Sequence, residues 1–227
     1  MIWPLIFTVK YNHYASSKPS LHTSTHTSSG IMNDISFKIK HCWDGTPVSH
    51  DAVQIRLSVG AESPDSLQLT VKAPFFNDPA PPGFKVGGAQ EQLWDYEVVE
   101  AFILGEKDRY LEVELSPHGC YLVLMLNGCH SLWKDKLPLT FSSEIHSNNT
   151  WTGQAFIPLT YIPPGPHKFN AFAIHGVGST YEALYPAPPG MYDTPDFHRL
   201  HLFQDLPQDF LPHEHIASEW SSLFTSL

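Results

Sequence analysis

Hydrophobic and polar residues alternate along much of the chain after Phe37. The run Val53–Val59 places four aliphatic side chains two residues apart, and Leu67–Val71 repeats the pattern. A period of two is typical of a strand with one buried face. Further strand candidates are Phe37–Trp43, Glu97–Leu104, Tyr110–Leu115, Tyr121–Leu126, Trp151–Ile157, Phe169–His175, Tyr181–Leu184 and Phe197–Phe203. Because no helical periods separate these runs, the pattern predicts an all-β, antiparallel sandwich and not a doubly wound sheet.

Two connections between these runs have their own signals. The dipeptide Asn127-Gly128 between apolar runs is a strong hairpin signal, and a two-residue turn there would place Leu126 opposite Cys129. Residues 77–92 form a long loop rich in Pro and Gly. Loops of this length are typical of functional or mobile segments.

The first 31 residues differ in composition from the rest of the chain. They contain no Asp or Glu, and the stretch Ser16–Ser29 is dominated by Ser and Thr. Such a stretch buries too little apolar surface to offset the entropy of ordering, so residues 1–31 are predicted to be a disordered or alternative-start extension. A secretory or mitochondrial leader fits less well, because the only lysine near the apolar stretch follows it and no arginine is present.

The remaining chain divides into a domain and a tail. Residues 32–206 contain the strand candidates and are predicted to form the β-sandwich domain. Residues 207–227 follow as a tail, in which Ile216, Trp220 and Phe224 recur with helical spacing and predict a short C-terminal helix.

Charge and composition exclude several classes of protein. The 227 residues include 13 Lys and Arg against 23 Asp and Glu, giving a formal net charge of −10. This balance argues against nucleic-acid and membrane partners, since both need clustered basic residues. Three cysteines are typical of a reducing compartment, and no apolar run reaches the length of a membrane helix. We therefore expect a monomeric, cytoplasmic protein. The common catalytic motifs of hydrolases, P-loop proteins and Rossmann proteins do not occur in the sequence, and we expect no cofactor.

Carboxylates within apolar strands are the most informative polar residues. In Glu97–Leu104, Glu100 has apolar neighbours whichever face is inward, so it needs a partner, a proton or a cation. One interpretation is a buried network with a His, Tyr or Arg residue, and the other is a carboxylate that faces a ligand. In Tyr110–Leu115, Glu112 and Glu114 share a face with Tyr110. That face is expected to be exposed to solvent, unless it is concave and suits a hydroxyl-rich ligand.

Trp94 is the tryptophan for which the sequence most favours a ligand-binding role over a position in the core. It ends the long loop and lies beside Asp95 and Glu97. A flat ring beside carboxylates can stack on the C–H face of a sugar while the acids accept hydrogen bonds from its hydroxyls.

Several motifs in order resemble a family of animal proteins that bears only an uncharacterised-family label. They are Phe37–Val48, APFFNDP (73–79), LWDYEVVEAFIL (93–104), YLEVELSPHG (110–119), KFNAFAIHG (168–176), YEALYP (181–186) and PDFHRLHLF (195–203). More distantly, the pattern is similar to family 9 carbohydrate-binding modules and the related DOMON-like sandwiches. The positions that carry this similarity are Val99-Glu100-Ala101-Phe102, Glu112, Glu114, Pro117, Gly119, Asn170 and Phe197-His198.

The resemblance implies an immunoglobulin-like or jelly-roll β-sandwich with a sugar-binding surface, with calcium as a structural ion in some members and without catalysis. A non-catalytic binding protein for a carbohydrate or another small polar ligand is therefore the leading hypothesis. The residues predicted to line its site are Trp94, Asp95, Glu97, Glu100, Glu112, Glu114, His175, Tyr181 and His198. The alternatives are a small hydrolase or isomerase that uses Glu100 and His175 as an acid–base pair, and a protein-interaction sandwich that presents the 77–92 loop.

Overall fold

Two antiparallel sheets make up the described part of the protein. The computed structural model describes residues 33–60, 63–212 and 218–223. Within these ranges a five-stranded sheet has the order β1-β3-β4-β10-β9, and an eight-stranded sheet has the order β2-β12-β11-β5-β6-β7-β8 with β13 paired to β11. The strands are β1 Asn33–Ile39, β2 His41–Cys42, β3 Val53–Val59, β4 Ser66–Pro74, β5 Val98–Leu104, β6 Arg109–Leu115, β7 Tyr121–Asn127, β8 Leu132–Lys134, β9 Thr140–His146, β10 Thr150–Pro158, β11 Lys168–His175, β12 Thr180–Ala183 and β13 Gln204–Asp205. Short 3₁₀ helices span Leu93–Asp95, Glu106–Asp108, Leu159–Tyr161, Leu200–Leu202 and Glu219–Leu223. The predicted all-β antiparallel sandwich is confirmed.

The main core lies between the two sheets. In β3 the buried residues Val53, Ile55 and Leu57 alternate with exposed polar residues, as the period of two predicts. From the other sheet, Ala101 and Val113 face the same core. This interior is the hydrophobic layer that holds the sandwich together.

A second hydrophobic layer covers the opposite face of the eight-stranded sheet, which we call the outer face. It includes Val98, Phe102 and Phe172 from the sheet, and Leu200 and Phe203 from the segment that crosses over it. Strands β5 and β6 are therefore buried along their whole length on both faces. This is why β5 carries a near-continuous apolar run and why the glutamates on both strands lie in an unusual environment.

The predicted strand Phe197–Phe203 is wrong, and it lies within an irregular segment, 195–203. It contains only the short 3₁₀ helix Leu200–Leu202 and belongs to neither sheet. Phe197 and His198, which a strand would point in opposite directions, both line the same cavity. The guanidinium of Arg199 donates to the carbonyl oxygens of Asp196 and Thr194, which satisfies this irregular backbone without a neighbouring strand.

The hairpin at Asn127-Gly128 exists, but its predicted register is wrong. Leu126 pairs with Leu132 and not with Cys129. The backbone N–H of Asn127 donates to the carbonyl of Ser131 at 2.9 Å, so the loop between the two strands is longer than the two-residue turn that the register requires. Gly128 has a φ of 104°, a conformation that glycine adopts without strain.

The described part of the tail packs onto the sandwich. Phe210, Leu211 and Trp220 are buried in the main core. Trp220 lies in the 3₁₀ helix Glu219–Leu223, and its indole N–H donates to the carbonyl of Tyr161 at 2.9 Å. The predicted helix is thus a short 3₁₀ helix in the described residues. Its other predicted residues, at 216 and 224, and the extension 1–31 lie outside the described residues.

None of the helices in the described residues is long and apolar enough to cross a membrane.

Candidate functional site

A cavity of about 490 Å³ opens on the outer face of the eight-stranded sheet. Its floor comes from β5, β6 and β7, and its walls come from the loop that ends at Trp94, from β12 and from the segment 195–203. The lining residues are Trp94, Asp95, Glu100, Glu112, Leu124, Leu126, His130, Leu132, Ile174, Tyr181, Pro195, Asp196, Phe197 and His198. We call this cavity the outer-face pocket.

Three glutamates from adjacent strands meet at the floor of the outer-face pocket. Glu100 on β5 pairs in register with Glu114 on β6, and Glu112 is two residues before Glu114 on the same face. One carboxylate oxygen from each residue lies within 4.8 Å of the others. The alternation of both strands thus points three carboxyls in one direction, away from the main core.

Burial keeps these carboxyls in a protonated, neutral form more readily than in water. The side chains of Glu100, Glu112 and Glu114 are almost fully buried. Burial raises the pKa of Glu112 to about 8, and it raises the pKa of Glu100 and of Glu114 well above the usual range, with neighbouring carboxylate charge adding to the effect. In the described residues no hydrogen-bond donor reaches Oε2 of Glu112 or either oxygen of Glu114, which favours the protonated, neutral form of these carboxyls.

Two expectations about these acids are wrong. The face that carries Glu112 and Glu114 is buried and not exposed, because the segment 195–203 and the outer-face layer cover it. In the part of the chain that the structure describes, Glu100 lies beside the carboxyls of Glu112 and Glu114, and no hydrogen bond joins it to a His, Tyr or Arg residue.

His198 is a hydrogen-bond donor at the wall of the outer-face pocket. Burial lowers the pKa of its imidazole to about 4, so the ring is neutral near pH 7. The phenolic oxygen of Tyr110 accepts the backbone N–H of His130 at 3.2 Å and lies 2.6 Å from Nδ1 of His198. Because the phenolic oxygen already accepts one hydrogen, we assign its own proton to Nδ1, and this assignment puts the ring hydrogen of His198 on Nε2.

Aromatic and acidic side chains form the mouth of the outer-face pocket. Trp94 is 42 % exposed, a large value for a tryptophan, and Asp95 follows it in the chain. On the opposite wall, Phe197 stacks on Phe172 with ring centroids 3.9 Å apart. A flat apolar ligand face therefore has ring surfaces to contact at the entrance and polar groups to reach at the floor.

Six of the nine residues predicted to bind ligand line the outer-face pocket, and a seventh lies beneath it. The six are Trp94, Asp95, Glu100, Glu112, Tyr181 and His198. Glu114 is fully buried under the floor next to Glu100.

Glu97 and His175 lie on the other face of the sheet. His175 occupies an odd position of β11, which faces the main core, and Glu97 directly precedes β5. Both border a small cavity that is also lined by the core residues Val99 and Trp151, whereas Glu100 faces outward. The carboxylate of Glu97 accepts the backbone N–H groups of Phe76 and Asp78 at 3.0 and 3.2 Å, so it holds the start of the long loop. Burial raises the pKa of Glu97 despite these bonds.

The acid–base pair suggested by the sequence is not assembled. Glu100 pairs in register with Phe172, three residues before His175 on the neighbouring strand, and the two side chains leave the sheet on opposite faces. His175 instead lies 2.8 Å from the carboxylate of Glu182.

Sequence reasoning missed several residues of the outer-face pocket. His130 and Asp196 come from loops, and their side chains lie 3.3 Å apart at the rim. The sequence indicates Phe197 only as part of a motif and places it in a predicted strand. No pattern in the sequence points to the loop residues, because their position depends on where the chain crosses the sheet and not on a local period.

Comparison with known proteins shows close relatives among animal proteins. No family model matches the chain. A UPF0462 protein C4orf33 homolog from Danio rerio is 49 % identical over 175 residues, which cover 74 % of this chain and 87 % of the relative. The UPF0462 protein C4orf33 from Homo sapiens is 45 % identical over 190 residues, which cover 81 % of this chain and 92 % of that protein. Its homolog from Mus musculus is also 45 % identical over 190 residues, which cover 81 % of this chain and 95 % of that protein.

Solved structures show the same kind of fold at low sequence identity. A putative carbohydrate-binding protein from Bacteroides uniformis superposes with a TM-score of 0.53 at 14 % identity, covering 76 % of this chain and 84 % of the other. A family 9 carbohydrate-binding module from Caldicellulosiruptor kristjanssonii, in complex with cellotriose, gives a TM-score of 0.42 at 10 % identity over 74 % of this chain and 77 % of the other, too weak a likeness to carry an argument. At these identities the comparison establishes the fold alone.

Proposed function

This chain belongs to the UPF0462 family, and we propose that it is a non-catalytic binding protein that holds a carbohydrate-like ligand in the outer-face pocket. One observation carries the proposal. Glu100, Glu112 and Glu114 form a buried floor of carboxyls, in which both oxygens of Glu114 and one oxygen of Glu112 lack a hydrogen-bond partner in the described residues, beneath an entrance lined by the exposed ring of Trp94.

The size of the outer-face pocket suits a small ligand. A volume of about 490 Å³ lies within the range of roughly 300–1,000 Å³ that is typical of small-molecule sites. The lining combines aliphatic and aromatic surface with a few polar groups that converge on the floor, which is also typical of such sites.

The polar groups are matched to hydroxyls. A protonated carboxyl both donates and accepts hydrogen bonds, as a sugar hydroxyl does, so neutral Glu100 and Glu112 can satisfy hydroxyls in either sense. The Nε2–H of His198 adds a fixed donor, and Asp95 adds an acceptor. A ligand that supplies hydroxyls to the floor relieves the cost of burying carboxyls without donors.

The aromatic rim provides the apolar half of the site. The C–H face of a pyranose ring is flat and apolar, and the exposed ring of Trp94 can stack on it. The structural neighbour from Bacteroides uniformis is itself described as a putative carbohydrate-binding protein, which favours the same class of ligand here.

The first test is binding of the purified full-length chain to a broad glycan array, with and without added calcium. We expect saturable binding to a defined set of glycans, lost or weakened at least tenfold in Trp94→Ala (about 1.4 kcal/mol or more). Met191→Ala is the matched control, because Met191 is also an exposed apolar residue but lies outside the outer-face pocket. A blank array from folded protein, or equal binding by Trp94→Ala, contradicts the proposal.

A second variant separates binding from folding. Glu100→Gln keeps the shape and neutrality of a protonated carboxyl, so we expect the chain to fold and to bind the array hit more weakly. Glu144→Gln is its control, since Glu144 is exposed on β9 of the other sheet. Loss of folding without any change in the affinity of the folded fraction would instead mean that Glu100 is structural.

A further inference from the structure

We propose that His50, His175 and Glu182 bind a single Zn²⁺ ion at one end of the sandwich, a site separate from the outer-face pocket and beyond the proposed function. Both Nε2 atoms converge on one oxygen, with Oε1 of Glu182 at 2.7 Å from His50 and at 2.8 Å from His175. Two imidazole nitrogens and one carboxylate are a ligand set that zinc uses in proteins, with a fourth position left open for water or another ligand.

The hydrogen bonds of His50 indicate that a proton or a metal ion lies between these atoms. Nδ1 of His50 lies 2.9 Å from the carbonyl oxygen of Asp51, which can only accept, so Nδ1 carries the hydrogen. In a neutral ring Nε2 then bears a lone pair, and it points at a carboxylate oxygen of Glu182. Two lone pairs at 2.7 Å repel each other unless a proton or a metal ion lies between them.

Glu182 supplies an independent indication of a ligand. Its side chain is fully buried, and within the described part of the chain its second oxygen, Oε2, has no hydrogen-bond partner. A buried carboxylate oxygen without a hydrogen-bond donor raises the free energy of the folded state, and coordination of a cation by the carboxylate is one of the few ways to offset that cost.

The rings are held in place as metal ligands usually are. The bond from Nδ1 of His50 to a backbone carbonyl is the type of second interaction that fixes the orientation of ligating histidines. The ring of His175 stacks on Phe76 with centroids 3.5 Å apart and planes within 2°. Zinc ligands at about 2.0–2.1 Å from the ion lie somewhat further apart than the observed 2.7–2.8 Å, and a small rotation of His50, which is on a loop and 21 % exposed, opens that space.

The site joins the two sheets. His50 precedes β3 of the five-stranded sheet, whereas His175 and Glu182 lie on β11 and β12 of the eight-stranded sheet. A zinc ion bound there would connect the sheets and stabilise the folded state by its binding free energy.

The test is zinc uptake by the full-length chain after removal of metals with a chelator, measured by competition with a chromophoric zinc indicator. We expect the wild-type chain to take up one more equivalent of zinc than the double variant His50→Ala/His175→Ala, with a rise in the thermal midpoint that the variant lacks. His146→Ala is the control, because it also removes a histidine beside a glutamate but leaves the trio intact. Histidines outside the described residues contribute equally to all three proteins and cancel in the comparison.

The single variants make the result independent of any folding defect. His50→Ala changes a loop residue without touching a strand, and Glu182→Gln keeps the shape of the carboxyl while weakening metal coordination. We expect each to lower zinc affinity at least tenfold. Equal uptake by the wild type and the double variant, or unchanged affinity in His50→Ala and Glu182→Gln, would overturn the proposal and leave a proton shared by the trio in place of the ion.

Discussion

At the scale of single residues, burial controls the ionisation of the outer-face pocket. Glu112 has a pKa of about 8 when folded against an ordinary value of 4.5, and the first cause is desolvation. The folded state therefore keeps a proton that the unfolded state loses as the pH rises. The stability that this contributes is full below about pH 4.5 and is lost progressively as the pH rises to about 8.

Glu112→Gln is expected to remove this loss. Gln keeps the size of a protonated carboxyl, so wild type and variant should have similar stability at pH 5. At pH 8 the variant should be more stable by on the order of a few kcal/mol, since one pKa unit corresponds to about 1.4 kcal/mol. Urea unfolding at both pH values measures this difference, with exposed Glu144→Gln as the control. Parallel pH profiles for wild type and Glu112→Gln would show that Glu112 ionises normally in the folded protein.

Tyr110→Phe tests the hydrogen bonds that orient His198. The change leaves the N–H of His130 and Nδ1 of His198 without their partner. We expect a loss of about 1–3 kcal/mol in the free energy of unfolding and weaker binding of the array hit, because the ring hydrogen of His198 is no longer fixed on Nε2.

Tyr192→Phe is the matched control for that variant. The hydroxyl of Tyr192 also lies within hydrogen-bond distance of a histidine, His201, but the pair is exposed. Its removal should change stability by less than about 0.5 kcal/mol. Equal effects of the two variants, seen in chemical denaturation, would mean that the buried pair has no special role.

At the scale of elements, strands buried on both faces distinguish this sandwich. β5 and β6 face the main core with one set of side chains and the outer-face layer with the other. In β5 the sequence indicates this through an apolar run in which Glu100 is the one polar residue, whereas in β6 glutamates alternate with apolar residues and predict an exposed face. Phe197, Leu200 and Phe203 of the segment 195–203 are apolar for the same reason, since this segment covers the outer face without joining the sheet.

Substitution by Ala should lower the stability of the fold strongly at one tryptophan and little at another. Trp220, in the last 3₁₀ helix, is fully buried and donates its indole N–H to Tyr161, so Trp220→Ala should lower the free energy of unfolding by about 3–5 kcal/mol. Trp94→Ala should change stability little, because Trp94 is 42 % exposed. Thermal and urea unfolding of both variants measures this contrast. A stable Trp220→Ala protein would show that the tail does not contribute to the core.

At the scale of the whole molecule, the eight-stranded sheet separates two sites. The outer-face pocket uses side chains that point away from the sandwich, and the trio of His50, His175 and Glu182 uses side chains on the side of the main core. The two sites share no residue.

The two sites are therefore expected to act independently. His50→Ala should lower zinc affinity without changing glycan binding, and Glu100→Gln should do the reverse. The combined variant His50→Ala/Glu100→Gln should show the sum of the two free-energy changes within about 0.5 kcal/mol, as is usual for distant positions. Zinc competition and glycan titration on the same four proteins test this. A larger departure from additivity would reveal coupling through the sheet.

The sequence by itself determined the class of fold and the polar residues of the floor. Alternation in Val53–Val59 and in Tyr110–Leu115 is a local property, since neighbouring side chains on a strand must point to opposite faces. The same rule placed Glu100 among apolar neighbours and predicted that it needed a partner, a proton or a cation, whereas it put Glu112 and Glu114 on a face expected to be exposed. Only the tertiary structure decided that the three meet, because their association depends on the register between strands β5 and β6.

The tertiary structure also decided what surrounds these residues. It covered Glu112 and Glu114, separated His175 from Glu100 and brought the loop residue His50 to Glu182, 132 positions away in the chain. No local period records where a loop crosses a sheet or which distant side chains it meets, because those contacts arise only when the two sheets pack. Local pattern therefore predicted the strands and their faces, and packing between distant segments created the candidate sites.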